Sequence, residues 1–281
     1  MEIVRFAEYR QYEQVRVEAS NAIMGLLAGA QMAAHMLQLT EGSDRLLPEI
    51  FPQIPHIGRF SLKPEAALRI LAAGDTHLGA MAVAYALAIH EDYLKTCLTL
   101  LQRDGKKLKK PADNLKLYEQ HGEIEQATGQ SFNAASLEQL HVLRVMRNCT
   151  IHSGGRADQS LVNRLATWPP DAESGWVKLA GRSPRALDLR DPVTFGSSEA
   201  LMALAVTKVL AREATGFLAP ALPRDLWADL LVEDLVTDAP NALRAPDAIR
   251  RAKGLARCHY GPLKLTEGEI SAAVARHSQR S

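Results

Sequence analysis

Residues 140–155 read LHVLRVMRNCTIHSGG. Leu140, Leu143, Met146 and Ile151 follow a helix-like apolar rhythm, and two glycines then close it. Glycine takes the left-handed turn beyond a helix C-terminus without steric cost, so the stretch predicts a helix that stops at Gly154. Asn133 predicts the N-cap, because its short side chain can accept from the free amides of the first turn. Set into the apolar rhythm are Arg144, Arg147, Asn148 and His152.

Outward from this helix, nearly every periodic segment is again helical. Upstream, residues 8–39 predict one long helix or two, and Pro48, Pro52, Pro55 and Pro64 break the connector that follows. THLGAMAVAYALAIHEDYLKTCLTLLQR (76–103) predicts another long helix, capped by Asp75. A basic loop, KKLKKPADN (106–114), precedes a shorter polar helix over 115–129. Downstream, GWVKLAGRSPRALDLRDPVTF (175–195) alternates and turns, which predicts a small β-hairpin. Ser197 or Ser198 caps a helix over 199–218, closed by Pro220 and Pro223. Residues 224–281 hold two or three more helices, broken by Pro240, Pro246 and the YGP turn at 260–262. The last is opened by a Thr266-to-Glu269 capping box. The expected fold class is all-α with one β-hairpin insertion.

With 281 residues, 47% apolar and 23% charged, the chain can bury a sizeable core and is not disordered. A net charge of +1 gives no global attraction to polyanions, so any nucleic-acid binding must come from local clusters. Cys97, Cys149 and Cys258 are odd in number and irregularly spaced, and the charged start MEIVRFAEYRQYEQVR is no signal peptide. Both features predict a reducing, cytoplasmic setting. NAIMGLLAGAQMAAHMLQL (21–39) is long and apolar, with Gly25 and Gly29 four apart. Gln31, His35 and Gln38 argue against a membrane span and for a buried helix with close backbone contacts.

Arg147 and His152 lie five positions apart, so a regular helix turns them about 140° away from each other. Asn148 and His152 share a face with Arg144. A joint site therefore needs either a helix end that swings His152 round or a second copy packed across a two-fold axis. Chemically the set suits RNA cleavage. Imidazole titrates near neutrality and can move a proton on or off a 2′-hydroxyl or a departing 5′-oxygen. Guanidinium grips phosphate through paired donors and holds harder as the phosphorane gathers charge. The histidines at 35, 56, 77, 121 and 141 are too scattered for a ligand set, so neither metal nor cofactor is expected. Cys149 reads as a small core residue rather than a nucleophile.

RNCTIH (147–152), with Asn148 directly after the arginine, resembles the Arg-x4-His motif of the HEPN superfamily (higher eukaryotes and prokaryotes nucleotide-binding domains). The surroundings are similar too: a long preceding helix, the apolar approach LEQLHVLRVM, the small polar exit SGGRAD and a closing helix at 198–217. The resemblance implies a HEPN-like helical bundle over 65–218. Flanking it would be an N-terminal helical extension with the proline-rich connector (1–64) and a C-terminal helical segment (219–281). It also implies a homodimer whose two motifs meet in one cleft. The activity implied is that of a metal-independent endoribonuclease of the kind found in toxin–antitoxin and phage-defence systems. RNA would be the substrate, and an antitoxin or other regulatory protein a partner, with no membrane involved. Arg147 and His152 would be catalytic and Asn148 supporting. Gly154 stands where members silenced by a nucleotidyltransferase carry a tyrosine, so control through that tyrosine is not expected here.

The superfamily also has non-catalytic members, which makes a scaffold for RNA, nucleotide or a partner protein the alternative. A helical DNA-binding regulator is a third reading. Glu91 and Asp92 are expected to orient the catalytic groups. Arg144, Lys106, Lys107, Lys109 and Lys110 are expected to meet RNA phosphates. Arg244, Arg250, Arg251, Lys253 and Arg257 form a second basic face, left open between a nucleic-acid module and a packing element.

Overall fold

Helical periodicity carries through to the computed structural model, which describes residues 2–279 and has no strand among them. The chain is all-α. Its helices are α1 (Ala7–Gln38), α2 (Leu47–Ile50), α3 (Pro64–Ala72), α4 (Gly74–Arg103), α5 (Leu117–Thr128) and α6 (Ala134–His152). They continue with α7 (Gln159–Ala166), α8 (Pro170–Ala180), α9 (Ser197–Ala221), α10 (Arg224–Asp238), α11 (Ala248–His259) and α12 (Glu267–Ser278). Local signals act as expected: Asn133 accepts the Ser136 amide at 2.9 Å, and Thr266 and Glu269 cap α12 reciprocally.

The expected hairpin over 175–195 does not form. Pro170 opens α8 in its first turn, where Asp171 and Glu173 complement the helix dipole. The buried residues Ala172, Trp176 and Ala180 recur every four positions, and Trp176 meets Trp168 edge-on at 5.5 Å. One buried helical face outweighs the alternation around it. The chain then makes a short 3-10 turn at Pro184–Ala186, and its pairing is reduced to a single antiparallel bridge, Arg156 with Pro192.

Two compact units interleave along the chain. The first unit comprises Met1–Val15, Ala88–Leu137 and Val206–Ser281. Aromatic rings fill its core: Phe6 on Trp227 at 5.6 Å, Tyr12 on Tyr93 at 4.6 Å, and Trp227 on Tyr260 at 6.4 Å. The tyrosine hydroxyls find partners, with the Tyr93 hydroxyl 2.6 Å from Thr215 Oγ1 and Tyr12 donating to the Thr207 carbonyl, whereas the buried Trp227 Nε1 has none among the described residues. Asp234, buried, takes two 2.8 Å bonds from the Arg10 guanidinium and a third from the Tyr260 hydroxyl. His90 and His121, both buried, face each other with their Nε2 atoms 3.1 Å apart. One ring must donate and the other accept, so the accepting nitrogen carries no proton; burial holds His90 down at about 3.

The second unit comprises Arg16–Leu87 and Glu138–Ala205. Its core is the apolar side of α6 (Leu140, Val142, Leu143, Val145, Met146, Cys149) with Trp168, Trp176 and Met202. Gly79 on α4 and Gly196 before α9 touch backbone to backbone: a Cβ on Gly79 would lie 2.7 Å from the Gly196 carbonyl oxygen. Asp75, expected to cap its own helix, instead accepts the Ser197 amide at 3.0 Å and serves α9. Glu199 reaches back to the Gly196 amide and completes that start.

The apolar stretch 21–39 is not buried. Gly25 and Gly29 have open space where a Cβ would stand. Ala22, Gly25, Gly29, Met32, Met36 and Leu39, spaced alternately three and four apart, are all exposed. Within 21–39 the buried residue is Leu37, which joins Leu47 and Ala67 in a small cluster.

Candidate active site

The end of α6 is built by two left-handed glycines. Gly154 (φ 62°) and Gly155 (φ 76°) turn the chain, and the Ser153 and Gly155 amides both donate to the Cys149 carbonyl, at 3.0 and 3.1 Å. The exit is then tied down: Val193 N–H donates to the Gly155 carbonyl and Ala157 N–H to that of Asp191, each at 2.8 Å. Asp158 caps α7 by accepting the Leu161 amide. The helix stays regular to His152, so no fraying swings the histidine round, and the offset of about 140° from Arg147 persists.

On this end, Arg144, Arg147 and Asn148 are half-buried, while Ile151 and His152 are exposed. The Arg147 Nε is buried without a hydrogen-bond partner among the described residues. Its backbone carbonyl accepts Thr150 Oγ1 at 2.7 Å. The local field is positive: burial first, then Arg164 and Arg144, hold His141 down at about 4. Cys149 is buried and its thiol is pushed up by desolvation, the opposite of an activated nucleophile. A cavity of about 120 Å³ touches α6 at Met146 and is otherwise lined by the Arg182–Pro192 segment with Thr194 and Glu199, not by the four polar residues.

The structure thus gathers Arg144, Arg147, Asn148 and His152 at one helix end of the second unit. Glu91, Asp92 and the loop lysines belong to the first unit. There Glu91 pairs with Lys95 at 3.4 Å, and Asp92 lines a small cavity with Glu8, whose carboxyl burial pushes up. The loop lysines are largely neutralised. Lys106 lies 4.0 Å from Asp104, Lys109 3.3 Å from Glu123 and Lys110 2.8 Å from Glu119, leaving Lys107 exposed. The second basic face is partly neutralised too, with Arg250 and Arg251 on Asp247 and Lys253 on Glu267. Among the described residues no group of three His, Cys, Asp or Glu is placed to hold a metal ion. No protein-family model, curated protein or solved structure matches the chain.

Proposed function

We propose that this chain is a metal-independent endoribonuclease of the HEPN type. The carrying observation is the set Arg147, Asn148 and His152 on a regular, glycine-terminated helix end, with an exposed imidazole and a guanidinium Nε that has no partner among the described residues. In the proposed reaction the 2′-hydroxyl oxygen attacks the adjacent phosphorus and the bond from phosphorus to the 5′-oxygen breaks. His152 takes the hydroxyl proton or returns one to the departing oxygen, and Arg147 holds the phosphorane charge. Asn148 orients. The products are a 2′,3′-cyclic phosphate and a 5′-hydroxyl.

A homodimer supplies what one helix cannot, because one chain turns Arg147 and His152 away from each other. In support, the exposed stripe from Ala22 to Leu39 has coiled-coil spacing, and residues 19–39 contain no Asp, Glu, Lys or Arg to repel a second copy. Its small residues allow close approach of helices, and Met32, Met36 and Leu39 supply the apolar contact.

The test is incubation of the purified chain with RNA in excess chelator. His152→Ala and Arg147→Ala are each expected to lose about 10²–10⁴-fold in cleavage rate with helical content unchanged. Mixing the two inactive variants restores part of the activity if each site draws one group from each chain. Full activity in either variant, dependence on a divalent cation, or 5′-phosphate products would overturn the proposal.

A further inference from the structure

Arg257 and Gly261 line two cavities of the first unit, of about 250 Å³ and about 340 Å³, which share these residues as a common wall. Arg5, Arg212 and His259 line one, and Lys253 and Lys264 the other. Two of these cations are spent inside the protein, Arg5 on Glu13 and Lys253 on Glu267, each at 2.9 Å. Arg212, Arg257 and Lys264 form no ion pair with any described residue; the exposed Glu2 on the rim likewise has no cation. This is the reverse of the 106–110 loop, which looks more basic in sequence and is mostly paired.

The trough is also held in shape. Lys264 has left-handed backbone (φ 49°), a conformation unfavourable for a residue with a Cβ. Arg224 holds it there, donating to the Leu263 and Lys264 carbonyls at 2.8 and 2.9 Å while Glu269 pairs with the same guanidinium. Strain maintained by a dedicated clamp is characteristic of ligand-holding turns. Ile3 and Pro262 in one cavity, and Leu265 and Ile270 in the other, add apolar wall beside the charge.

We propose that this trough binds a single-stranded polynucleotide, with Arg257, Arg212 and Lys264 on successive backbone phosphates and the two cavities receiving bases turned off the strand. Recessed chambers beside cations suit unstacked bases, whereas a duplex keeps its bases stacked and offers only its backbone. The choice of RNA over DNA rests on the ribonuclease proposal; the trough itself does not.

Binding of short labelled single-stranded RNA, single-stranded DNA and duplex RNA to the full-length His152→Ala chain, followed by fluorescence anisotropy, tests this. Combining Arg212→Ala, Arg257→Ala and Lys264→Gln is expected to weaken single-strand binding about tenfold or more near 0.1 M salt. It should also lower the slope of log affinity against log salt by about 2, at ~0.7 per phosphate contact. Replacing Lys106, Lys107, Lys109 and Lys110 together by Ala is expected to change binding less than about threefold, since three of them are already paired. The single variant Arg257→Gln, with unchanged circular dichroism, guards against a folding artefact. The trough is overturned if the triple variant binds like its parent, if the loop variant loses the binding instead, or if duplex binds more tightly than single strand. Single-strand binding through the trough without cleavage by the unmutated chain would sink the ribonuclease proposal alone. Cleavage that survives the triple variant at full kcat/KM would sink the trough alone.

Discussion

Of the large hydrophobic side chains exposed among the described residues, only Tyr118, Val209 and Ile249 belong to the first unit. The second holds the rest, from Val17, Met24, Leu26, Met32, Met36 and Leu39 on α1 to Met81, Ile151 and Leu201. The units are similar in size, so chain length does not explain the contrast. One closes a core of interlocked rings whose tyrosine hydroxyls find partners. The other spreads small and flexible side chains along helices that face solvent on one side. Exposed apolar side chains in such number suit the second copy that the proposed dimer would supply. The putting-away of apolar surface and the proposed chemistry are thus separated, since the Arg147–His152 helix end lies in the open unit.

The largest effect should come from cutting the closed unit at its buried ion pair. Asp234→Ala strands Arg10 and the Tyr260 hydroxyl, and a loss of about 3–5 kcal/mol is expected by denaturant titration. Hydrogen exchange should show it in the start of α1 and in α10–α12; a loss under 1 kcal/mol would mean the pair is ornamental to that core. Next, Gly79→Ala drives a methyl into the Gly196 backbone and should cost the open unit about 1–3 kcal/mol in the same titration. A neutral result would show that the crossing can widen.

Acid should then act on both. His90 in the closed unit is held near 3 and His141 in the open unit near 4, against 6.5 when unfolded. The unfolded chain therefore takes up protons first as pH falls. The stability from keeping these rings neutral is fully present above pH 6.5, and is lost downward toward pH 3 and pH 4 respectively. Each ring contributes about 1.4 kcal/mol per pH unit inside its window, so thermal midpoints should fall between pH 7 and pH 5. His90→Gln, which cannot charge, should flatten the curve. The smallest effect is expected from Met32→Gln with Met36→Gln, which should leave stability within about 0.5 kcal/mol because both side chains are exposed. Sedimentation should nonetheless show weakened self-association; unchanged association would remove the α1 stripe from the proposed dimer.

What was legible in the sequence was local. Asn133, the Thr266–Glu269 pair and Gly154-Gly155 act within a few residues of themselves, and each does what its type predicts. Asp75 misled because a capping carboxylate can serve any helix start within reach, and the amide it takes up is that of Ser197, far away in sequence. Residues 175–195 misled because Trp176 and its partners bury a four-residue repeat that the eye reads as alternation; Pro170 followed by Asp171 and Glu173 was the overlooked helix-start signal. The pairing of the basic loop was harder to read: Asp104 stands two residues before Lys106, but Glu119 and Glu123 reach it only from the next helix, α5. Arg257 was readable as part of the second basic face, but its neighbours Arg212 and Lys264 were not, because the three line adjoining cavities only in the fold. At the candidate site, the polar set and its helix end were readable, whereas the anchoring of the exit to residues 191–193 was not.

The interleaving of the units also sets an order of synthesis. Every residue of the open unit, including the Arg147–His152 helix end, has been made once the ribosome passes residue 205. The closed unit must wait for Trp227, Asp234 and Tyr260 before Phe6, Arg10 and Tyr12 can find their places. The growing chain therefore holds Phe6, Arg10 and Tyr12 uncommitted while more than two hundred residues are added, until Trp227, Asp234 and Tyr260 arrive to seal them.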